Sequence, residues 1–529
     1  MPSRRPALRL GEAVVGLLAE HYGVDTVFGI PGVHNIELYR GLHRFGVRAV
    51  SPRHEQGAGF MADGWSVVTG RPGVCTLISG PGLTNALTPM AQAFHDSRPM
   101  LVLAATTPTA ALGKRFGPLH DLDDQAAMAR TVTSFSETVL SPDDVPALIA
   151  RAFDVFRSAR PRPVHLAFPT DLLELEVDPF VPVPSTAHRP GPDAAEVAEA
   201  VRLLAGSTSP VVIAGGGAID AGPALRTLAE RLDAPVVLTG NAKGVLPSSH
   251  PLCVGNPLFE PGIQARIEAC DAVLVVGTEL SDADLYNGGR ALRFAGPVVR
   301  IDIDAEQLPR RMHPTVGMAA DASAALSALS AELPFADRNG AARAAEWRAV
   351  WQAGVPSRLA PWLGAFAAAV PHDAIVALDS TQLAYSAHMT VPCEQPRSWL
   401  APYGLGTLGC AVPMAVGAKI AAPRRPVLAL AGDGGWLFTV AEMATATDMQ
   451  LGIVLVLWDN RGYAQIRQSF DDVDAPRMGV DVSSHDPEAI ARGFGWATST
   501  VHRPDELGPA VAAAFTAGGP HMVRVVVPD

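Results

Sequence analysis

A chain of 529 residues, 48% of them hydrophobic, is too long for one core and carries enough apolar mass for several; three domains of about 175 residues each fit it. A formal net charge of −12 argues against a broad nucleic-acid surface. Five scattered cysteines (Cys75, Cys253, Cys270, Cys393 and Cys410) without a CxxC pair argue against a disulfide framework or a zinc site, read as buried small apolar side chains, and fit a reducing cytoplasm.

In chain order, the opening MPSRRPALRLGEAVVGLL reads as a short basic tail and an amphipathic helix, because Glu12 interrupts the apolar run and no cleavage site follows closely. No stretch is apolar for long enough to span a bilayer. Residues 8–177 alternate apolar runs (VDTVFGI, GVCTLIS, MLVLAAT, PVHLAFP) with helical patterns (ALRLGEAVVGLLAEHYG, NIELYRGLHRFG), as a parallel sheet covered on both faces requires. The Pro-rich DPFVPVPSTAHRPGPD (178–193) is the first linker. A second block, 194–332, carries PVVIAGGG, APVVLTG, AVLVVGTEL and VVRIDID. The Ala-rich ELPFADRNGAARAAEWRAVWQAG then leads into a third block, 355–529, with AIVALDS, PVLALAGDG, GIVLVLWDN and MVRVVVP. The predicted fold is α/β: three doubly wound, parallel-sheet domains.

Open α/β sheets bind ligands beyond the carboxyl ends of their strands. The polar segments predicted there are Gly29–Gly32, Ser79–Asn85, Asp379–Gln382, Gly432–Gly435 and Asp459–Gly462. The third block is the most telling. Its PVLALAGDGGW puts Asp433 at one strand end, and GIVLVLWDNRG puts Asn460 at the next, with one helix between. A carboxylate and an amide oxygen side by side are hard ligands suited to Mg²⁺, which completes its octahedron with phosphate oxygens and water. Gly434 and Gly435 leave backbone N–H groups open to a diphosphate.

A GDG followed, one helix and one strand later, by an Asn-containing turn resembles the cofactor motif of the thiamine diphosphate enzymes. GIPGVHNIELYRGL, PRHEQGAGFMADGWSVVTGRPGVC and SGPGLTNAL resemble the pyrimidine-binding domain of the acetolactate synthase and pyruvate decarboxylase superfamily. The resemblance covers nearly the whole chain, with its motifs in family order. It implies a pyrimidine-binding first domain, a central domain and a diphosphate-binding third domain. It makes Glu55 the carboxylate on N1′ of the aminopyrimidine, with Pro31, Gly32 and Asn85 nearby. GLGTLGCAVPMAVGAKIA makes the Gly406 carbonyl the acceptor for the 4′-amino group and Leu408 the wedge between the two rings, where ordinary core is the plainer reading. LDSTQLAYS adds Thr381 and Gln382 to the diphosphate anchor; Gly434, Gly435, Gly462 and Tyr463 complete it. The metal set is Asp433, Asn460 and the Gly462 carbonyl. One departure stands out: the family's Asn-Asn is Asp459-Asn460 here, tolerable if Asp459 points away from the metal.

The resemblance further implies that the cofactor carries the carbon chemistry after losing its thiazolium C2 proton, with Glu55 favouring the imino tautomer that takes it. A 2-oxo acid then loses carbon dioxide and leaves as an aldehyde, or is joined to a second carbonyl as in acetolactate synthase. A cofactor-binding protein without activity is the remote alternative. RFGPLHDLDDQAAMARTVTSFS replaces the synthases' Ala-Phe-Gln-Glu loop and is similar to the LHELPDQ-like stretch of bacterial 5-guanidino-2-oxopentanoate (2-ketoarginine) decarboxylases. It places His120 and Asp121 near the reacting carbon. His120 is then a proton donor or a hydrogen-bonded loop histidine. Asp121, Asp123 and Asp124 either meet a guanidinium or form a solvated acidic loop. Ile466 stands where the pyruvate decarboxylases have a glutamate, which increases the weight on His120. The AGGGA run at 214–218 is too short a signal to predict FAD. The expected partners are a small 2-oxo acid and further copies of the chain, as a dimer or tetramer with sites between subunits. Neither nucleic acid nor membrane is expected.

Overall fold

Three six-stranded parallel sheets follow one another in the computed structural model, which describes residues 7–482 and 484–527; most of the basic tail read from the sequence, residues 1–6, lies outside the described residues. The first sheet contains β1 (Thr26–Gly29), β2 (Arg48–Val50), β3 (Gly73–Leu77), β4 (Met100–Thr106), β5 (Phe135–Thr138) and β6 (Val164–Pro169). The second contains β7 (Pro210–Ala214), β8 (Val236–Leu238), β9 (Cys253–Gly255), β10 (Ala272–Val276), β11 (Val298–Asp302) and β12 (Val316–Ala319). The third contains β13 (Ile375–Leu378), β14 (Trp399–Leu400), β15 (Val427–Gly432), β16 (Ile453–Asp459), β17 (Ala497–Val501) and β18 (His521–Val526). The central strands are unbroken apolar runs because helices cover both their faces. Every residue of β4, β10 and β16 is buried.

The strand orders are β2-β1-β3-β4-β6-β5, β9-β8-β7-β10-β11-β12 and β14-β13-β15-β16-β18-β17. The first and third sheets therefore share one topology, and the middle sheet has another. In the outer sheets the order reverses beside the first strand, between β1 and β3 and between β13 and β15. Loops diverge there and open a crevice. Gly29–Gly32 and Ser79–Asn85 flank the first crevice, and Asp379–Gln382 and Gly432–Gly435 flank the second.

The outer blocks share a core. The helix Glu55–Thr69 packs on the helix Ala411–Ala421, and Phe60 and Met61 join Met414, Val416 and Trp436 in one apolar cluster. Between the second and third blocks, the stretch 332–355 forms the helix Gly340–Ala353. It sets Trp347 and Trp351 against the middle sheet, and the Trp351 indole N–H donates to the Val254 carbonyl at 3.0 Å. All five cysteines are free and buried. Among the described residues, no helix is long and apolar enough to cross a membrane.

Candidate functional site

In the third block, β15 and β16 lie side by side with Gly432 opposite Trp458. This register brings the turns after them together. Asp433, fully buried, accepts from the Gly462 N–H at 2.7 Å through Oδ2. Asn460 donates through Nδ2 to Gln382 Oε1 at 3.3 Å. In that amide orientation Asn460 Oδ1 is 2.9 Å from the Gly462 carbonyl oxygen and 3.1 Å from Asp433 Oδ1. Reversing the amide turns these approaches into hydrogen bonds. A cation explains them equally well. Neighbouring ligands on an octahedron with bonds of about 2.1 Å are about 3 Å apart. The Asn460 oxygen thus stands at such a separation from each of the other two oxygens named from sequence, and all three are hard donors. Gly462 has φ 129°, and a Cβ there would strike the Val480 carbonyl, so only glycine fits.

Asp459 turns the other way. Its Oδ2 meets Arg524 at 2.6 Å and its Oδ1 accepts from the Arg461 N–H at 3.2 Å. The substituted position is therefore a buried ion pair with β18 and adds no charge to the oxygen cluster.

The diphosphate-side residues converge on the same end of the sheet. Thr381 and Gln382 open the helix Gln382–Thr390, whose N–H groups favour an anion. Thr381 Oγ1 faces Gly432, and the Tyr463 ring lies over Gly434. Asp379, which sequence noted only as part of a polar segment, is buried behind them. It accepts from the Ser380 and Gly409 N–H groups, both at 2.8 Å. Burial pushes its carboxyl up to about 6 against the pull of these donors. Gly406 is exposed, and its carbonyl has one long contact, 3.4 Å from Ser380 Oγ. Leu408 is half-buried on the same loop, ahead of the helix Ala411–Ala421.

In the first block, Glu55 is the first residue of its helix and is buried. Asn85 Nδ2 donates to its Oε2 at 3.0 Å, so one oxygen is fixed by the neighbouring helix Pro81–His95. Pro31 is exposed, and Gly32 donates its N–H to Asn35 Oδ1 at 2.8 Å. His120 has φ 64° and its carbonyl lies over Gly80 (φ 60°), where a Cβ would come within 2.6 Å. Gln125 holds that turn by accepting from the Gly80 N–H and donating to the Ala105 carbonyl. His120 Nδ1 is buried without a partner among the described residues. Its ring stands edge-to-face with His34, centroids 5.2 Å apart, and His34 Nδ1 is 2.6 Å from Ser79 Oγ. Burial, with His120 alongside, holds His34 below the usual imidazole range.

The three carboxylates of the acidic loop, left open between a guanidinium site and a solvated loop, have separate surroundings. Asp123 is exposed and forks with Arg115, and Asp124 caps the helix Gln125–Arg130 through the Ala127 N–H at 2.8 Å. Both carboxylates are committed elsewhere. Asp121 is half-buried and accepts one long hydrogen bond, 3.4 Å, from the Gly117 N–H. Sequence reading also passed over His34, although it sits in the quoted GIPGVHN. Its pairing with Ser79, 45 residues away, has no local signal.

A fold with two equivalent crevices, one offering a helix-start carboxylate and the other an Asp–Asn–carbonyl cluster, is that of the enzymes that use thiamine diphosphate. Models of the thiamine pyrophosphate enzymes match in series: the N-terminal TPP binding domain over residues 8–128, the central domain over 197–329 and the C-terminal TPP binding domain over 379–525. The chain is 44% identical to a probable 2-ketoarginine decarboxylase, AruI, of Pseudomonas aeruginosa, over 98% of this chain and 94% of that protein. It is 29% identical to the acetolactate synthase isozyme 1 large subunit of Escherichia coli (99% and 94% covered). It is 33% identical to the acetolactate synthase large subunit IlvB1 of Mycobacterium tuberculosis (86% and 77%). The chain belongs to the thiamine diphosphate-dependent enzymes.

Proposed function

We propose that this enzyme decarboxylates a cationic 2-oxo acid such as 5-guanidino-2-oxopentanoate without oxidation, releasing carbon dioxide and an aldehyde. The observation that carries this reading is the His120–Asp121 turn. Glycine packing at Gly80 fixes a histidine beside a carboxylate that has no cationic partner among the described residues, while Asp123 has one. Likeness to AruI across the whole chain supports the same choice, since that protein is described as a probable 2-ketoarginine decarboxylase.

Thiamine diphosphate, when bound, supplies the electron sink that decarboxylation needs. Glu55 holds and shares the N1′ proton, with Asn85 fixing its other oxygen. Pro31 and Gly32 would border the pyrimidine, the Gly406 carbonyl would accept from its 4′-amino group, and Leu408 would press between the rings. Thr381, Gln382, Gly434, Gly435, Gly462 and Tyr463 surround the diphosphate. Asp433, Asn460 and the Gly462 carbonyl bind Mg²⁺. His120 delivers a proton to the substrate carbon that has lost carbon dioxide, and Asp121 receives the guanidinium.

No flavin is part of this proposal. The 214–218 glycines have another use: Gly215 and Gly217 press against Gly277 and Thr278, where a Cβ would come within about 3 Å. A yellow preparation absorbing near the flavin bands would overturn that view. We further propose that the active form is a cytoplasmic dimer or tetramer in which the first block of one copy faces the third block of another. Large apolar side chains stand exposed at both ends: Val33 (72%), Phe116 (73%) and Leu119 on the first block, and Leu405, Phe438 and Met478 (77%) on the third. Gel filtration with activity across the eluate checks it, and an active monomer contradicts it.

The deciding experiment offers 5-guanidino-2-oxopentanoate, pyruvate and branched-chain 2-oxo acids, and measures carbon dioxide and carbon products together. One aldehyde per carbon dioxide from the guanidino acid is expected. A hydroxyketone assembled from two oxo acids would favour the carboligase reading, which the acetolactate synthase likeness keeps as the alternative.

A further inference from the structure

The helix Pro81–His95 touches the candidate site at both ends. Near its start Asn85 holds Glu55. At its far end Gln92, fully buried, and Asp96 reach across to the third block. Gln92 Oε1 accepts from the Thr407 hydroxyl at 3.0 Å and more distantly from the Thr407 N–H at 3.4 Å. Gln92 Nε2 donates to Asp96 Oδ2 at 2.6 Å. Asp96 Oδ1 accepts from the Gly404 N–H and from Asn241 Nδ2, both at 2.9 Å. Arg98 closes the network, 3.4 Å from Asp96 Oδ2 and 2.7 Å from Asp63 Oδ2, and donates to the Ala401 carbonyl at 3.0 Å. Side chains of the first block thus grip the loop 401–407 on both flanks of Gly406, and Asn241 of the middle block braces Asp96. Gly406 itself has φ 69° and no neighbour near its Cα hydrogens.

We propose that Gln92 and Asp96 are positioning residues that aim the Gly406 carbonyl at the 4′-amino group of the cofactor. The physical need is plain. An exposed turn with a left-handed glycine wanders, and a carbonyl must lie within a few tenths of an ångström of its donor to be useful. Two carboxylate and amide acceptors, themselves desolvated and fully bonded, fix the turn from behind. Because the same helix carries Asn85, the Glu55 of one site and the Gly406 loop of the site formed with another copy are braced by one rigid rod. This inference rests on the assignment of Gly406 given above.

The test uses the apoenzyme with Mg²⁺ and measures dissociation constants for thiamine diphosphate and for its 4′-deamino analogue, in wild type, Thr407→Val, Thr407→Ser and Gln92→Met. Thr407→Val removes only the hydroxyl at a half-buried position, so folding is not at stake. Thr407→Val and Gln92→Met are each expected to weaken thiamine diphosphate about tenfold, as for one buried hydrogen bond. They should leave the deamino analogue within about twofold, because it has no amino group to misplace. Thr407→Ser should restore wild-type affinity, and the double variant should be no worse than either single one. Equal weakening of both ligands, or no weakening, would overturn the positioning role. If wild type itself binds both ligands equally, the Gly406 assignment falls first, and the proposal with it.

Discussion

The first and third sheets have the same strand order, yet their crevices are finished differently. In the third block the residues bond to one another: Asp433 to Gly462, Asn460 to Gln382, Asp379 to Gly409. In the first block Glu55 and His120 are positioned from behind, by Asn85 and by Gly80 with Gln125, while the rim around them is exposed and apolar. One topology thus carries one crevice whose polar residues bond to one another and another whose polar residues are held from behind, with exposed apolar side chains beside both. The difference follows from what each must hold. A metal diphosphate needs fixed oxygen and N–H geometry before it arrives, whereas a reacting carbon needs a site that another surface can cover and dry.

Substitutions on the two sides should therefore fail differently. The largest effect is expected from Glu55→Gln: turnover falls about 10²–10⁴-fold while thiamine diphosphate affinity is retained. Steady-state rates with a cofactor titration check it, and near wild-type turnover would remove Glu55 from its role. Asp433→Ala should show the opposite pattern, with affinity for Mg²⁺ and cofactor lowered about a hundredfold or more and turnover recovering partly at saturating Mg²⁺. Next, Asp121→Asn should raise KM for 5-guanidino-2-oxopentanoate about tenfold, the cost of one charge-assisted hydrogen bond, and leave an uncharged 2-oxo acid unaffected. Asp123→Asn should change neither, since Arg115 already occupies that carboxylate. The smallest effect concerns stability. With Asp379 raised from 3.8 to about 6, the folded state holds more protons between those values, and stability falls as pH rises through that window. Asp379→Asn should flatten the decline, shifting the pH 4 to pH 7 difference in Tm by about 2–4 °C. Asp63 and Asp284, also raised to about 6 by burial, keep the slope from vanishing.

Much of this was legible in the sequence. Strand–helix alternation revealed three parallel sheets, because strands buried on both faces are written as unbroken apolar runs. Glu55, Asp433 and Asn460 were legible because each lies in a short motif at a strand end or helix start. Their neighbours were harder. Gln92 and Asp96 lie at the end of a helix whose pattern explains them as ordinary polar residues, and their partner Thr407 is 315 residues from Gln92. The aspartates of the 115–124 loop stayed open between two readings because charge can be counted along a chain but capping and ion pairing cannot. The direction of Asp459 was undecidable until Arg524 was seen beside it.

That last pair sets an order of assembly. Strand β18 inserts between β16 and β17 as an interior strand, although it follows every candidate ligand in the chain. Asp433, Asn460 and Gly462 have all left the ribosome before residues 521–526 are made. Until then β16 has an open edge, and Asp459, next in the chain to Asn460, has no guanidinium to answer its charge. A chain interrupted shortly before His521 would hold every candidate ligand and still leave the edge of β16 open and Asp459 without its guanidinium.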